Sequence, residues 1–128
     1  MSKSKIHRLG ERQLEIMKVL WERGEATVGE VHRVLAEEHN LAYTTIATML
    51  RKMEGRRLVC HRAEGRSFIY RALVEEGAVS RGMADDLLDR LFAGSLAGMV
   101  SHLLRTREVS RDELSKLEVL IAERKRNG

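Results

Sequence analysis

Proline is absent from this chain of 128 residues, cysteine occurs once, and aromatic residues make up 4%. The lack of proline suits helices joined by short connections and excludes a proline-rich linker. A single cysteine, Cys60, excludes an internal disulfide. It reads as a small, half-buried strand residue, with an intermolecular bridge or a redox switch as the alternatives. With so few aromatics, Leu, Val, Ile and Met must fill the core. No apolar run approaches the length needed to cross a bilayer. The basic start Met1-Ser2-Lys3-Ser4-Lys5 is followed by no hydrophobic signal region, so a cytoplasmic location is expected.

Also missing is an arranged set of reactive groups. His7, His32, His39, His61 and His102 are scattered, with no H-x-x-x-H or H-E-x-x-H pair and no phosphate-binding glycine loop. Neighbours on a strand face opposite ways, so Cys60 and His61 are poorly placed to share a metal. Asp85-Asp86-Asp89 reads as a solvated cluster or as partners of Arg81 and Arg90. Neither an enzyme, nor a cofactor, nor a metal centre is expected.

What is present is a localised positive charge. The formal net charge is +4. Residues 51–75 hold seven Lys/Arg against three Asp/Glu, while the segments on either side balance. Such a patch is the electrostatic footprint of a nucleic-acid binder. Immediately before it, the pattern over Leu41–Met53 predicts a two-faced helix. Ile46, Met49, Leu50 and Met53 form an apolar stripe at spacings of three and four. Thr44, Thr45, Thr48, Arg51 and Lys52 occupy the other face, which carries no carboxylate. Threonine hydroxyls and methyls can meet base edges in a major groove, and Arg or Lys can bind guanine or phosphate.

The flanking segments agree with this reading. Leu9–Arg23 is predicted helical, with Leu14, Ile16, Met17, Leu20 and Trp21 on its apolar face and Gly24 as its stop. Trp21 belongs to the core. Thr27-Val28-Gly29-Glu30 fits a capping box opening a second helix to about Glu38, with Val28, Val31, Val34 and Leu35 inward. His39-Asn40 would end it, with Asn40 left-handed. The Thr-bearing helix follows from about Ala42 to Arg56, giving a helix-turn-helix. Leu58–Arg62 and Ser67–Leu73 then read as strands around a Glu64-Gly65-Arg66 turn. This basic hairpin is a wing, with Arg66 at its tip and Arg62 and Arg71 on its arms, placed to meet the phosphate backbone.

From about Val79 the period is helical again. Met83, Leu87, Leu88, Leu91 and Phe92 form one stripe, and Gly94-Ser95 interrupts. Leu96, Met99, Val100, Leu103 and Leu104 form a second stripe; Ser110–Glu113 caps a helix bearing Leu114, Leu117, Leu120 and Ile121. So small a helical unit is marginal alone, and pairing with a second copy is preferred to packing back on the first domain. The predicted dimer residues are Leu87, Leu88, Leu91, Phe92, Leu96, Met99, Val100, Leu103, Leu117, Leu120 and Ile121. The expected architecture is mainly α with a small β-hairpin wing: a winged helix-turn-helix over residues 1–76 and a helical dimerisation region over 77–128.

The chain resembles the penicillinase-repressor (BlaI/MecI/CopY) family of winged-helix transcriptional regulators. The carrying motifs are Leu14 through Trp21 (L-E-I-M-K-V-L-W), Ala42-Tyr43-Thr44-Thr45-Ile46 with Thr48 and Leu50, and Gly65-Arg66 with Phe68 and Tyr70. The resemblance is close over residues 8–72 and weaker in the tail. It implies a homodimeric repressor on a palindromic operator. In antibiotic-responsive members of the family, a membrane-spanning sensor metallopeptidase triggers cleavage within the dimer helices and weakens DNA binding. Three positions depart from the family pattern. Arg57 stands where glycine is usual, Arg71-Ala72 replaces a proline after the wing tyrosine, and His102-Leu103 occupies the position of the Asn-Phe cleavage pair. The cysteine cluster of the copper-responsive branch has no counterpart.

The expected DNA contacts are Thr44, Thr45, Thr48 and Arg51 at bases or adjacent phosphates. Lys52, Arg62 and Arg66 would hold the backbone, and Tyr43 the helix start and a phosphate. Two other readings remain open. One is a winged helix released by a small-molecule effector, with a pocket near Ala93–Gly98 at the dimer seam. The other is a winged helix used for protein contact, which predicts a reading face without Arg51, Lys52, Arg56 and Arg66.

Overall fold

The computed structural model describes residues 9–128; the basic start and His7 lie outside the described residues. The elements run α1 (Glu11–Arg23), β1 (Ala26–Thr27), α2 (Val28–Ala36), α3 (Tyr43–Gly55), β2 (Val59–Glu64), β3 (Ser67–Ala72), α4 (Glu76–Phe92), α5 (Leu96–Thr106) and α6 (Arg111–Asn127). They form two compact units, one through Ala84 and one from Asp85.

In the first unit the apolar stripes become one core. Ile16, Met17 and Leu20 of α1, Val31 and Leu35 of α2, and Ile46, Leu50 and Met53 of α3 are buried together with Leu58, Val59 and Tyr70. Trp21 packs at the edge of this core, its indole N–H donating to the Val74 carbonyl at 2.9 Å. Val79 is buried in the same core, and Met83 packs against it. The first turns of α4 therefore belong to this unit, although the sequence places the boundary after residue 76.

Local signals set the helix ends. Gly24 takes φ +86° at the end of α1. The Thr27 hydroxyl accepts from the Glu30 amide at 3.1 Å, and Glu30 Oε1 accepts from the Thr27 amide at 2.9 Å. This is the reciprocal cap expected of that tetrapeptide. The expected left-handed Asn40 is not found: positive φ among the described non-glycine residues occurs at Arg57 and Ala93. Instead, α2 ends in a helical turn in which the His39 amide donates to Leu35 O at 2.9 Å. His32 Nε2 donates to Leu41 O at 2.8 Å, satisfying the chain where it turns into α3.

The sheet is antiparallel in the order β1-β3-β2. The hairpin is as expected, with Glu64 opposite Ser67 across a two-residue loop. Gly65 has φ +61°, a backbone that glycine enters without strain. The short strand β1 was not expected. Its two residues are too few to show an alternation, and they coincide with the cap of α2.

The second unit has a different character. Ser95 caps α5 and Ser110 caps α6, each hydroxyl accepting from the amide three residues on, at 2.9 and 3.0 Å. Yet neither α5 nor α6 contains a buried residue. Among the described residues, no single helix is long and apolar enough to cross a membrane.

Candidate nucleic-acid interface

Burial of Ile46, Leu50 and Met53 fixes the rotation of α3. At 3.6 residues per turn, the ridge opposite that stripe is Thr44-Thr48, flanked by Arg51 on one side and by Thr45 and Lys52 on the other. Thr44, Thr45, Arg51 and Lys52 are exposed, and Thr48 is half-buried. An Arg51 guanidinium nitrogen donates to Thr48 Oγ1 at 3.3 Å, so the cation lies against the hydroxyl ridge. Tyr43 is 52% exposed at the helix start and meets the His32 ring edge-on, 6.0 Å between centroids.

A groove of about 350 Å³ separates this helix from the wing. Tyr43, Ala47 and Arg51 line it from α3, Arg66, Phe68 and Tyr70 from the hairpin, and Val28 and Gly29 from the start of α2. Arg51 and Arg66 thus approach one channel from opposite walls. Among the described residues no carboxylate pairs with Arg51, Lys52 or Arg66, so their charge faces outward uncompensated.

Arg62 is differently placed. It sits across from Ile69, on the sheet face opposite Phe68 and Tyr70. Its guanidinium is bound by Glu25 at 2.6 and 3.1 Å and by Glu64 at 3.2 Å. The pair holds the Glu25 carboxyl below its usual range and pushes Arg62 further up. The structure therefore separates Arg62 from the groove that collects Tyr43, Arg51 and Arg66. Sequence spacing carries no sign of this, because Glu25 lies 37 residues away.

Two side-chain clusters lie outside the contacts that the sequence predicts. Glu54, on the wing side of α3, accepts from His61 Nδ1 at 2.7 Å and from the His61 amide at 3.1 Å. Elsewhere, Glu15, Glu38 and His39 bring three ligand-type atoms within 4.8 Å of one another. His39 Nε2 is already hydrogen bonded to Glu15 at 2.6 Å, and Arg12 holds the other Glu15 oxygen at 2.7 Å. Glu15 is thus satisfied by His39 and Arg12, while Glu38 stays exposed and 3.9 Å from His39; the Glu15 carboxyl is held down first by His39.

In the second unit, Leu91, Leu96, Leu120 and Ile121 are at least 56% exposed, and Leu87 and Leu103 are also exposed. Leu88, Phe92, Met99, Val100 and Leu117 are half-buried. Around Ala93–Gly98 the chain makes a tight turn, with Ala93 at φ +49° and Gly94 at φ +79°. A cavity of about 260 Å³ instead lies at the α5–α6 elbow, lined by Val100, Leu103, Leu104, Arg107, Val109 and Leu117.

A three-helix core, an outward hydroxyl-and-cation ridge and an adjacent two-stranded wing define a winged helix-turn-helix protein. The sequence model of the penicillinase repressor family matches residues 9–123. The chain is 29% identical over 121 residues to the penicillinase repressor of Bacillus licheniformis, covering 94% of each. It is 31% identical over 122 residues to the transcriptional regulator BlaI of Mycobacterium tuberculosis, covering 94% of this chain and 87% of the relative. The chain belongs to the penicillinase repressor family. Its fold is similar to the solution structure of the DNA-binding domain of the repressor BlaI, with TM-score 0.52, 30% identity, and coverage of 59% of this chain and 93% of that one. It is also similar to the monomeric form of Bacillus licheniformis BlaI in complex with the blaP half-operator, with TM-score 0.50, 31% identity, and coverage of 58% and 90%.

Proposed function

We propose that this protein is a sequence-specific transcriptional repressor that binds duplex DNA as a homodimer on a palindromic operator. The observation that carries the DNA-binding reading is the Thr44-Thr48 ridge, flanked by Arg51 and Lys52 without a carboxylate partner and faced across a groove by Arg66. The half-operator complex of the Bacillus relative supports it by similarity. In this reading Thr44, Thr45, Thr48 and Arg51 enter the major groove, while Lys52, Arg66 and Tyr43 hold phosphates. Arg62 reaches phosphate only by leaving Glu25, so its weight is smaller than that of Arg66.

The exposed stripes of the second unit support the two-fold pairing in this proposal. Neither α5 nor α6 contains a fully buried residue, Leu91, Leu96 and Leu120 stand exposed, and each Leu removed from water contributes about 1.5–3 kcal/mol. The faces bearing Leu87, Leu88, Leu91 and Phe92, with those of α5 and α6, are the proposed seam across residues 77–128. Loss of that seam is the proposed route to release. A sensor metallopeptidase cutting near His102-Leu103, inside α5, would separate the two reading helices.

Operator titrations with two variants test the assignment. Thr48→Ala should change the preference among operator variants by about 1–3 kcal/mol. Arg66→Ala should weaken all duplexes alike and reduce the salt slope by about one. Equal loss on matched and scrambled DNA for Thr48→Ala would remove Thr48 from base readout.

A further inference from the structure

A polar strut joins the wing to the reading helix. Glu54 lies in the last turn of α3 and His61 in the first arm of the hairpin. The Glu54 carboxylate accepts from His61 Nδ1 at 2.7 and 2.8 Å through its two oxygens, and from the His61 backbone amide at 3.1 Å. The imidazole then stacks on the opposite arm, 4.3 Å from the Phe68 ring and 5.3 Å from the Tyr70 ring between centroids. Tyr70 is buried in the core, while Phe68 is 48% exposed and lines the groove between wing and helix. One carboxylate thus holds both the backbone and the side chain of β2, and the imidazole carries that hold to β3.

We propose that Glu54 and His61 are positioning residues that set the angle of the wing, and so place Arg66 on a phosphate while Thr44 and Thr48 lie in the major groove. This rests on the DNA-binding reading above. The chemistry favours a positioning role over direct contact. A carboxylate repels phosphate, yet here one stands beside the reading face with its charge turned onto an imidazole and an amide. Buried Val59 and Tyr70 and the pairing of β3 with β1 hold the base of the hairpin, and beyond that base the two arms are held by their own pairing, so the arginine at the tip would move furthest. Two-point attachment of His61, close to that base, removes this freedom before DNA arrives, so less ordering is left to binding.

The test is a double-mutant cycle in the full-length chain, using Glu54→Ala, His61→Phe and Arg66→Ala on a duplex of its own promoter region. His61→Phe keeps a ring for stacking but removes the Nδ1 donor. If the strut places Arg66, the loss caused by Arg66→Ala should shrink by at least about threefold in either strut background. Glu54→Gln, which retains an acceptor, should restore most of the coupling. Circular dichroism and thermal melting check that each variant is folded. In the free protein, the His61 Nδ1 proton should appear as a protected NMR resonance that Glu54→Ala abolishes. Additive losses with all variants folded would overturn the positioning role while leaving DNA binding intact. Absence of duplex binding by the unaltered chain would overturn the underlying reading, and the positioning role with it.

Discussion

Arg57 occupies a backbone conformation that an L-residue with a side chain enters only at a cost. It takes φ +62° just after α3. The Arg57 amide donates to Glu54 O at 2.9 Å and the Leu58 amide to Met53 O at 3.0 Å. That pair of bonds closes the helix in a Schellman motif, and buried Met53 and Leu58 supply its apolar contact. Glycine at this position relieves the left-handed strain but loosens the unfolded chain. Arg57→Gly should therefore stabilise the protein by about 0.5–1 kcal/mol, read as a higher urea midpoint at unchanged slope. An unchanged or lower midpoint would show that the arginine side chain compensates the strain. At this scale the sequence was partly legible. The outward Thr and Arg positions follow from helical period alone, because the buried stripe fixes the rotation. The Arg62–Glu25 and Glu54–His61 pairs did not follow, since each depends on where the folded hairpin brings its arms. Asn40 is not left-handed, because the helical turn closed by the His39 amide makes that conformation unnecessary.

Among the elements, α2 depends most on its start. It has nine residues, too short to persist without a cap and a packed face. Thr27→Ala should cost about 1 kcal/mol in denaturant melts. The reciprocal half of the cap is acid-sensitive. The Thr27 backbone amide, then its hydroxyl, holds the Glu30 carboxyl below its usual value of 4.5. A depressed folded value means the contribution is complete above about pH 4.5 and is lost as pH falls through that lower value. Glu30→Gln should flatten the pH dependence of stability in that window and leave its form near neutrality unchanged. The cap, the hairpin and the six helices of the described residues were legible because periodicity and turn residues reinforce each other there. The strand β1 was not, because its pairing of Ala26 with Tyr70 and Thr27 with Ile69 is wholly non-local.

Across the whole molecule, the burial of apolar residues is uneven. Everything buried lies at or before Val79, while the helices beyond carry exposed leucines. That contrast was readable as amphipathic stripes, and the proposed homodimer is what would cover them. The full-length protein should sediment as a dimer, and Leu120→Asp should shift it toward monomer. A chain ending at Ala84 keeps Val79 and Met83 in its core, so it should stay folded, sediment as a monomer and bind the operator far more weakly. A fragment that still dimerises would place the seam elsewhere. The most direct measurement of the central claim is an equilibrium titration of the unaltered protein against a duplex from its own promoter region, across a range of salt concentrations. Tight binding at low salt is predicted, with the logarithm of affinity falling linearly against the logarithm of salt. A scrambled duplex of equal length should bind more weakly. No binding to either duplex at the lowest salt would contradict the account.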